Sequence, residues 1–198
     1  MWRLARLNMR EAMSEASFML ARQNCQRTML SYLFRGLTAE PARGARLFEA
    51  VTAEMRRAHW YLEGQVPDTL DGRFAVLSTI AALVTVRLEA DGKAGELASV
   101  GLTERFVEVM ESEHRELGLG DPTLGRTVRK LVSKLARRTE LWRGSCDGSG
   151  DWTEATRVSL YKTDAEPQAL RHSAGALTAL WRKLGNASLA DIERGEFG

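Results

Sequence analysis

The residues whose types could support chemistry are concentrated in a short acidic segment at residues 108–116. Within it, Glu111 and His114 have the ExxH spacing with which di-iron helical bundles ligate their metals. Such a centre needs a second ExxH on a facing helix, and the chain contains none. The segment is therefore more typical of a solvated helix face than of a metal centre. Its glutamates are Glu108, Glu111, Glu113 and Glu116.

The other candidate motifs for catalysis or ligand binding are incomplete. His59 and His172 have no HExxH or HxxxH partner, so each is predicted to be a surface or half-buried structural residue. The glycines at 118–120 are expected to join two helices, whereas a phosphate-binding loop follows a strand. Cys25 and Cys146 form no CxxC pair, which favours a reducing compartment. We therefore predict a protein that is not an enzyme and that holds no metal or cofactor.

The clearest functional feature is a basic segment at residues 123–143. Seven basic side chains less the single Glu140 leave about +6 here, against a net charge of +2 for the whole chain. A polyanion would therefore be bound locally, and no DNA binding is expected. This segment fits ribosomal RNA, anionic lipid or an acidic protein segment, or it is an ordinary solvated face. As a helix the segment has two faces: Leu124, Val128, Leu131, Leu135 and Trp142 can face inward, and the basic residues lie mostly on the opposite side. These basic residues are Arg126, Arg129, Lys130, Lys134, Arg137 and Arg138, and Arg143 is counted with them.

The element best suited to organise the fold is an apolar segment at residues 66–88. Residues 74–86 include no charged side chain, and apolar residues recur there at three- and four-residue steps. A helix that is apolar on every face is buried or lies in a membrane. This one is too short to span a bilayer, so we predict a central helix wrapped by others. Asp68 or Thr69 is expected to cap its first turn.

The remaining segments also follow helical patterns. Pro41 precedes an apolar stripe that ends near Gly64, and residues 90–101 are expected to be a loop after which Thr103 caps the next helix. Asp121 followed by Pro122 is a strong helix start. Two further helices are predicted, at residues 152–161 and after Pro167. No strand pattern stands out, so the expected fold is all-α, a single bundle of about six or seven helices.

The N-terminal segment differs from the rest of the chain. Residues 1–28 contain five arginines with two glutamates, and the glutamates argue against a targeting peptide. We predict that residues 1–28 are an extension, flexible or forming a loosely docked helix. Residues 29–198 would then form the helical domain, because a new apolar pattern begins at Met29.

Two blocks of this sequence resemble the ubiquinol–cytochrome c chaperone family. The first is VPDTLDGRF at residues 66–74, followed by an apolar helix that ends at residues 86–88. The second comprises Met110 and Glu111, then RELGLGD at residues 115–121, and then the basic RTVRK at residues 126–130. The resemblance extends over about residues 30–198 and leaves the N-terminal extension outside.

The resemblance implies an all-helical assembly factor for the ubiquinol–cytochrome c reductase complex, respiratory complex III. Such a factor would bind newly made cytochrome b, and it would work in the cytoplasm at the inner-membrane surface. An alternative from the residues alone is a ribosome- or RNA-binding adaptor that acts through residues 123–143. The candidate partner-binding residues are Pro67, Asp68, Thr69, Gly72, Arg73, Gly118, Gly120, Asp121, Arg126, Arg129, Lys130 and Lys134.

Overall fold

A central helix, α2 (Leu70–Glu89), is buried on almost all sides, as its composition predicts. Ile80, Ala81, Ala82 and Leu83 have no exposed surface, although four consecutive residues point in four different directions around a helix. The hydroxyl group of Thr79 also lies in this core, where it donates to the carbonyl oxygen of Ala75 over 2.7 Å. A buried hydroxyl that bonds the preceding turn in this way leaves no polar group unsatisfied.

The computed structural model describes residues 44–116, 121–161 and 164–197, without the side chains of residues 113–116 and 121–124. These residues form seven α-helices and no strand, which confirms the predicted all-α bundle. Helix α2 packs against α1, α3, α4, α5 and α6, and α7 packs against α1. The other helices are α1 (Ala45–Met55), α3 (Gly92–Glu116), α4 (Asp121–Cys146), α5 (Trp152–Leu160), α6 (Pro167–Asn186) and α7 (Leu189–Arg194), with a 3-10 turn at Ala58–Trp60.

The predicted loop at residues 90–101 is wrong, because α3 already begins at Gly92. Gly95 lets α3 approach the end of α2: a Cβ at this position would lie 1.8 Å from the carbonyl oxygen of Leu88. Thr103 lies inside α3 and donates to the carbonyl oxygen of Ser99 over 3.0 Å, so it is not a cap. Gly95 therefore serves close helix packing, a use that the sequence pattern does not distinguish from a loop.

Helix α4 has the predicted apolar face and the predicted basic face, with one exception. Val128, Leu131, Leu135 and Trp142 are buried, as predicted. Most of the basic residues are exposed, but Arg138 is half-buried between α4 and α5. The predicted separation of an apolar face from a basic face is therefore wrong for Arg138.

One prediction from the sequence concerns residues that the structure does not describe. The predicted extension at residues 1–28 lies outside the described residues, so the division at residues 28 and 29 stays a prediction. None of the described helices combines the length and apolar character that a bilayer crossing requires.

Candidate functional site

The turn at residues 66–69 is held rigidly against the start of α2. The backbone amide of Val66 donates to the carbonyl oxygen of Trp60 over 3.0 Å. The hydroxyl oxygen of Thr69 accepts from the amide of Gly72 over 3.2 Å, which makes Thr69 the cap of α2. Gly72 is buried against Pro67, where a Cβ would lie 1.9 Å from the proline carbonyl oxygen. Only glycine therefore allows this close approach of turn and helix.

Asp68 has a different role from the predicted cap. Its carboxylate accepts a hydrogen bond from Nε of Arg73 over 2.6 Å, and both side chains are more than half exposed. This bond holds the pKa of the Asp68 carboxyl below its ordinary value. An exposed pair of this kind contributes little to stability but fixes the outer side of the turn.

A cavity of about 620 Å³ opens beside this turn. The turn and the start of α2 form one side, and α4 contributes Lys134 and Arg138. The end of α5 and the residues that follow it form the remaining side. The apolar part of this lining includes Phe74, Ala75, Val158, Leu160, Ala165 and Ala169. A neighbouring cavity of about 330 Å³ shares Lys134, Arg138, Val158 and Ser159 with the first.

Arg138 is the unusual side chain of this pocket. One terminal nitrogen donates to the carbonyl oxygen of Ser159 over 2.9 Å, while the buried Nε has no hydrogen-bond partner. Burial lowers the pKa of this guanidinium below its ordinary value. The guanidinium carbon lies 6.0 Å from the ring centre of Phe74, and Nζ of Lys134 lies 5.7 Å from the same centre. Both cations therefore lie beside one aromatic ring at the pocket.

Tyr161 fixes the side of the pocket that follows α5. Its hydroxyl group donates to the carbonyl oxygen of Gly64 over 2.5 Å and lies 2.9 Å from the hydroxyl oxygen of Ser173. Burial raises the pKa of this phenol. Ser159, two residues earlier in the chain, accepts a hydrogen bond from the indole of Trp142 over 3.1 Å. The pocket is therefore preformed by contacts among distant segments.

The structure brings together only some of the predicted site residues. Pro67, Thr69, Gly72 and Lys134 line the pocket. Asp68 and Arg73 pair with each other, whereas exposed positions along α4 are occupied by Arg126, Arg129 and Lys130. Gly118 and Gly120 lie outside the described residues, as does the side chain of Asp121.

Sequence reasoning missed Arg138 as a pocket residue, although a signal was present. The buried residues of α4 recur at positions 128, 131, 135 and 142. Position 138 falls three residues after Leu135 and four before Trp142, so it belongs to the same inward stripe. A charged residue on a buried stripe is an informative exception, and the basic neighbours of Arg138 concealed this signal.

A second cluster joins His59 to His172. Nδ1 of His59 lies 3.2 Å from Nε2 of His172, and its Nε2 lies 3.8 Å from a carboxylate oxygen of Glu54. Burial lowers the pKa of His59, with Glu54 acting in the opposite direction. Both rings are half-buried, as predicted. The contact between them was not predicted. In the described part of the chain, no three His, Cys, Asp or Glu residues meet as metal ligands; the side chain of His114 lies outside it.

These features define an all-α bundle with a preformed pocket that combines apolar walls and two cations. The chain belongs to the ubiquinol–cytochrome c chaperone family, whose model, described as "Ubiquinol-cytochrome C chaperone", matches residues 62–197. The solved structure described as "Crystal structure of the Cbp3 homolog from Brucella abortus" is similar, with a TM-score of 0.66 and 24% identity. That match covers 85% of this chain and 94% of the other, and it supports the fold. No curated protein matches the chain.

Proposed function

We propose that this protein is an assembly chaperone that binds newly made cytochrome b and assists its incorporation into the ubiquinol–cytochrome c reductase complex. Membership of the chaperone family is the observation that carries the proposal, since the matched region, residues 62–197, contains the whole described pocket. In this role the protein is not an enzyme, and it works in the cytoplasm at the surface of the inner membrane.

The pocket supports this proposal physically. A client segment that will become a membrane helix exposes apolar side chains until it is inserted. Val158, which is 51% exposed, and the partly exposed Phe74 offer such a segment apolar surface between α4, α5 and the start of α2. Docking an apolar helix into a groove of this kind is a common mode of recognition. The turn at residues 66–69, held by hydrogen bonds to Trp60 and Gly72, forms one wall of this groove.

The direct test is a crosslinking pull-down from membranes with the tagged full chain. We expect mass spectrometry to identify cytochrome b among the crosslinked proteins, and we expect a deletion strain to lose assembled complex III. A deletion strain with intact complex III, together with a pull-down that lacks cytochrome b, would contradict the proposal.

The basic surface of α4 favours a second candidate function, which is docking to the ribosome or to an anionic membrane. Arg126, Arg129, Lys130 and Arg137 are exposed on this helix. Cations in this arrangement attract polyanions through release of counterions, so binding should weaken steeply with salt. Reversal of charge at Arg129 and Lys130 should lower the affinity for ribosomes or anionic vesicles. Unchanged binding in that variant would exclude this surface as the docking site.

A further inference from the structure

Arg138 brings a charge into the pocket that the fold leaves uncompensated. A guanidinium has five N–H donors, and the one hydrogen bond that Arg138 makes among the described residues goes to the neutral carbonyl oxygen of Ser159. No carboxylate in the described part of the chain forms an ion pair with it. Removing such a cation from water without a counter-charge is costly. A ligand that carries a negative charge would offset this cost.

The cavity lining indicates which kind of anion fits. Among the described residues of the lining, Lys134 and Arg138 supply two positive charges, while Asp164 and Glu166 place two exposed carboxylates on the same cavity. A polyanion such as RNA would meet these carboxylates along its length and would be repelled. A single carboxylate can reach the two cations beside Phe74 without placing further negative charge near the carboxylates of the cavity lining. The charge arrangement therefore favours one isolated acidic group.

The apolar part of the lining indicates what carries this group. The partly exposed Phe74 and the exposed Val158 line the same cavity as Arg138 and offer apolar surface there. A segment that is apolar apart from one Asp or Glu matches this surface in polarity and in charge. Acidic residues in membrane helices are costly in hydrocarbon and are normally paired, so such a segment gains from a temporary partner.

We propose that the pocket binds an apolar client segment through one acidic side chain, whose carboxylate pairs with Arg138 beside Lys134 and the ring of Phe74. This inference rests on the proposed function. It adds that the protein selects apolar segments that contain one Asp or Glu side chain. Arginine suits this role because its planar donors match a carboxylate and it stays charged when it is partly desolvated.

The test uses the full chain and two synthetic peptides with fluorescent labels. The peptides share one helical sequence of leucines and alanines with lysines at the ends, and they differ only in a central Glu or Gln. Fluorescence anisotropy gives Kd for each peptide. We expect the wild-type chain to bind the Glu peptide about tenfold more tightly, as a hydrogen-bonded charge pair implies.

Arginine variants identify the residue responsible. Arg138→Gln should bring the two Kd values within about twofold of each other, because a charge-assisted bond is replaced by a neutral one. Arg182→Gln is the matched control, since it removes the same charge from an exposed position of α6 that is absent from the pocket lining. It should keep the preference. Arg138→Lys keeps the charge without the planar donors and should retain only part of the preference.

Three results would overturn the proposal. The first is a wild-type chain that binds neither peptide or binds both equally, and the second is a Glu preference that survives in Arg138→Gln. The third is binding of a labelled RNA oligonucleotide that depends on Arg138, with equal peptide affinities. A Glu preference without recovery of cytochrome b from membranes would contradict the proposed client and leave the carboxylate site standing.

Discussion

The substitution Gly72→Ala tests how the turn and the pocket are built. A Cβ at this position would lie 1.9 Å from the carbonyl oxygen of Pro67 and 3.0 Å from its carbonyl carbon. Ordinary contact begins at 3.4 Å, so the oxygen would have to move by 3.4 less 1.9, which is about 1.5 Å. That oxygen also accepts a hydrogen bond from the amide of Thr69 over 2.8 Å. The turn cannot therefore move without losing contacts.

The expected magnitude is a difference between two opposing effects. Alanine in place of a helical glycine stabilises by about 0.5–1 kcal/mol because the unfolded chain has less freedom to lose. Overpacking costs about 1–3 kcal/mol or more, and a backbone oxygen yields less than a flexible side chain. We therefore expect Gly72→Ala to lower the free energy of unfolding by about 2 kcal/mol. For a chain of this size, Tm should fall by about 4–8 °C.

Thermal and urea unfolding followed by circular dichroism would measure this effect. Gly175→Ala is the matched control, because Gly175 lies in α6 and an added Cβ there would meet nothing within 4 Å. That variant should be as stable as the wild type or slightly more stable. A Gly72→Ala protein with an unchanged or higher Tm would refute the packing described for the turn.

Three further variants test other parts of the bundle. Tyr161→Phe should lower the free energy of unfolding by about 1–2 kcal/mol, measured by urea unfolding, because the carbonyl oxygen of Gly64 loses its donor. Burial lowers the pKa of His59 below 6.5, so the unfolded chain takes up the proton first and stability should fall as the pH drops below about 6.5. His59→Gln should flatten that part of the pH profile of Tm. A profile identical to that of the wild type would contradict the attribution of this pH dependence to His59. Arg143→Gln should cost less than about 1 kcal/mol in the same urea assay, because Arg143 and both of its carboxylate partners are in contact with solvent.

The helical class and the central helix could be predicted because their signals are local. An uncharged stretch with apolar residues on every face requires burial on every face, and α2 is buried in this way. Thr69 as a cap was one of two options that the residues left open. The structure selects Thr69, since Asp68 is drawn outward by Arg73.

The pocket could not be predicted because its contacts join residues that are distant in sequence. Arg138 and Ser159 are 21 residues apart, and the hydroxyl of Tyr161 reaches a carbonyl 97 residues away. Periodicity within one helix carries no information about which helix it faces. Residue type alone assigned Arg138 to the basic surface, although its position in the repeat is that of the buried residues.

The most direct test of the central claim is site-specific photocrosslinking in cells that assemble complex III. A photoreactive amino acid replaces Val158, which lines the pocket, or Val100, an exposed valine of α3 that is absent from the pocket lining. We predict that position 158 crosslinks to cytochrome b, identified by mass spectrometry, and that position 100 does not. Crosslinks to cytochrome b from position 100 but not from position 158, or from neither position, would contradict the claim that this pocket holds the client.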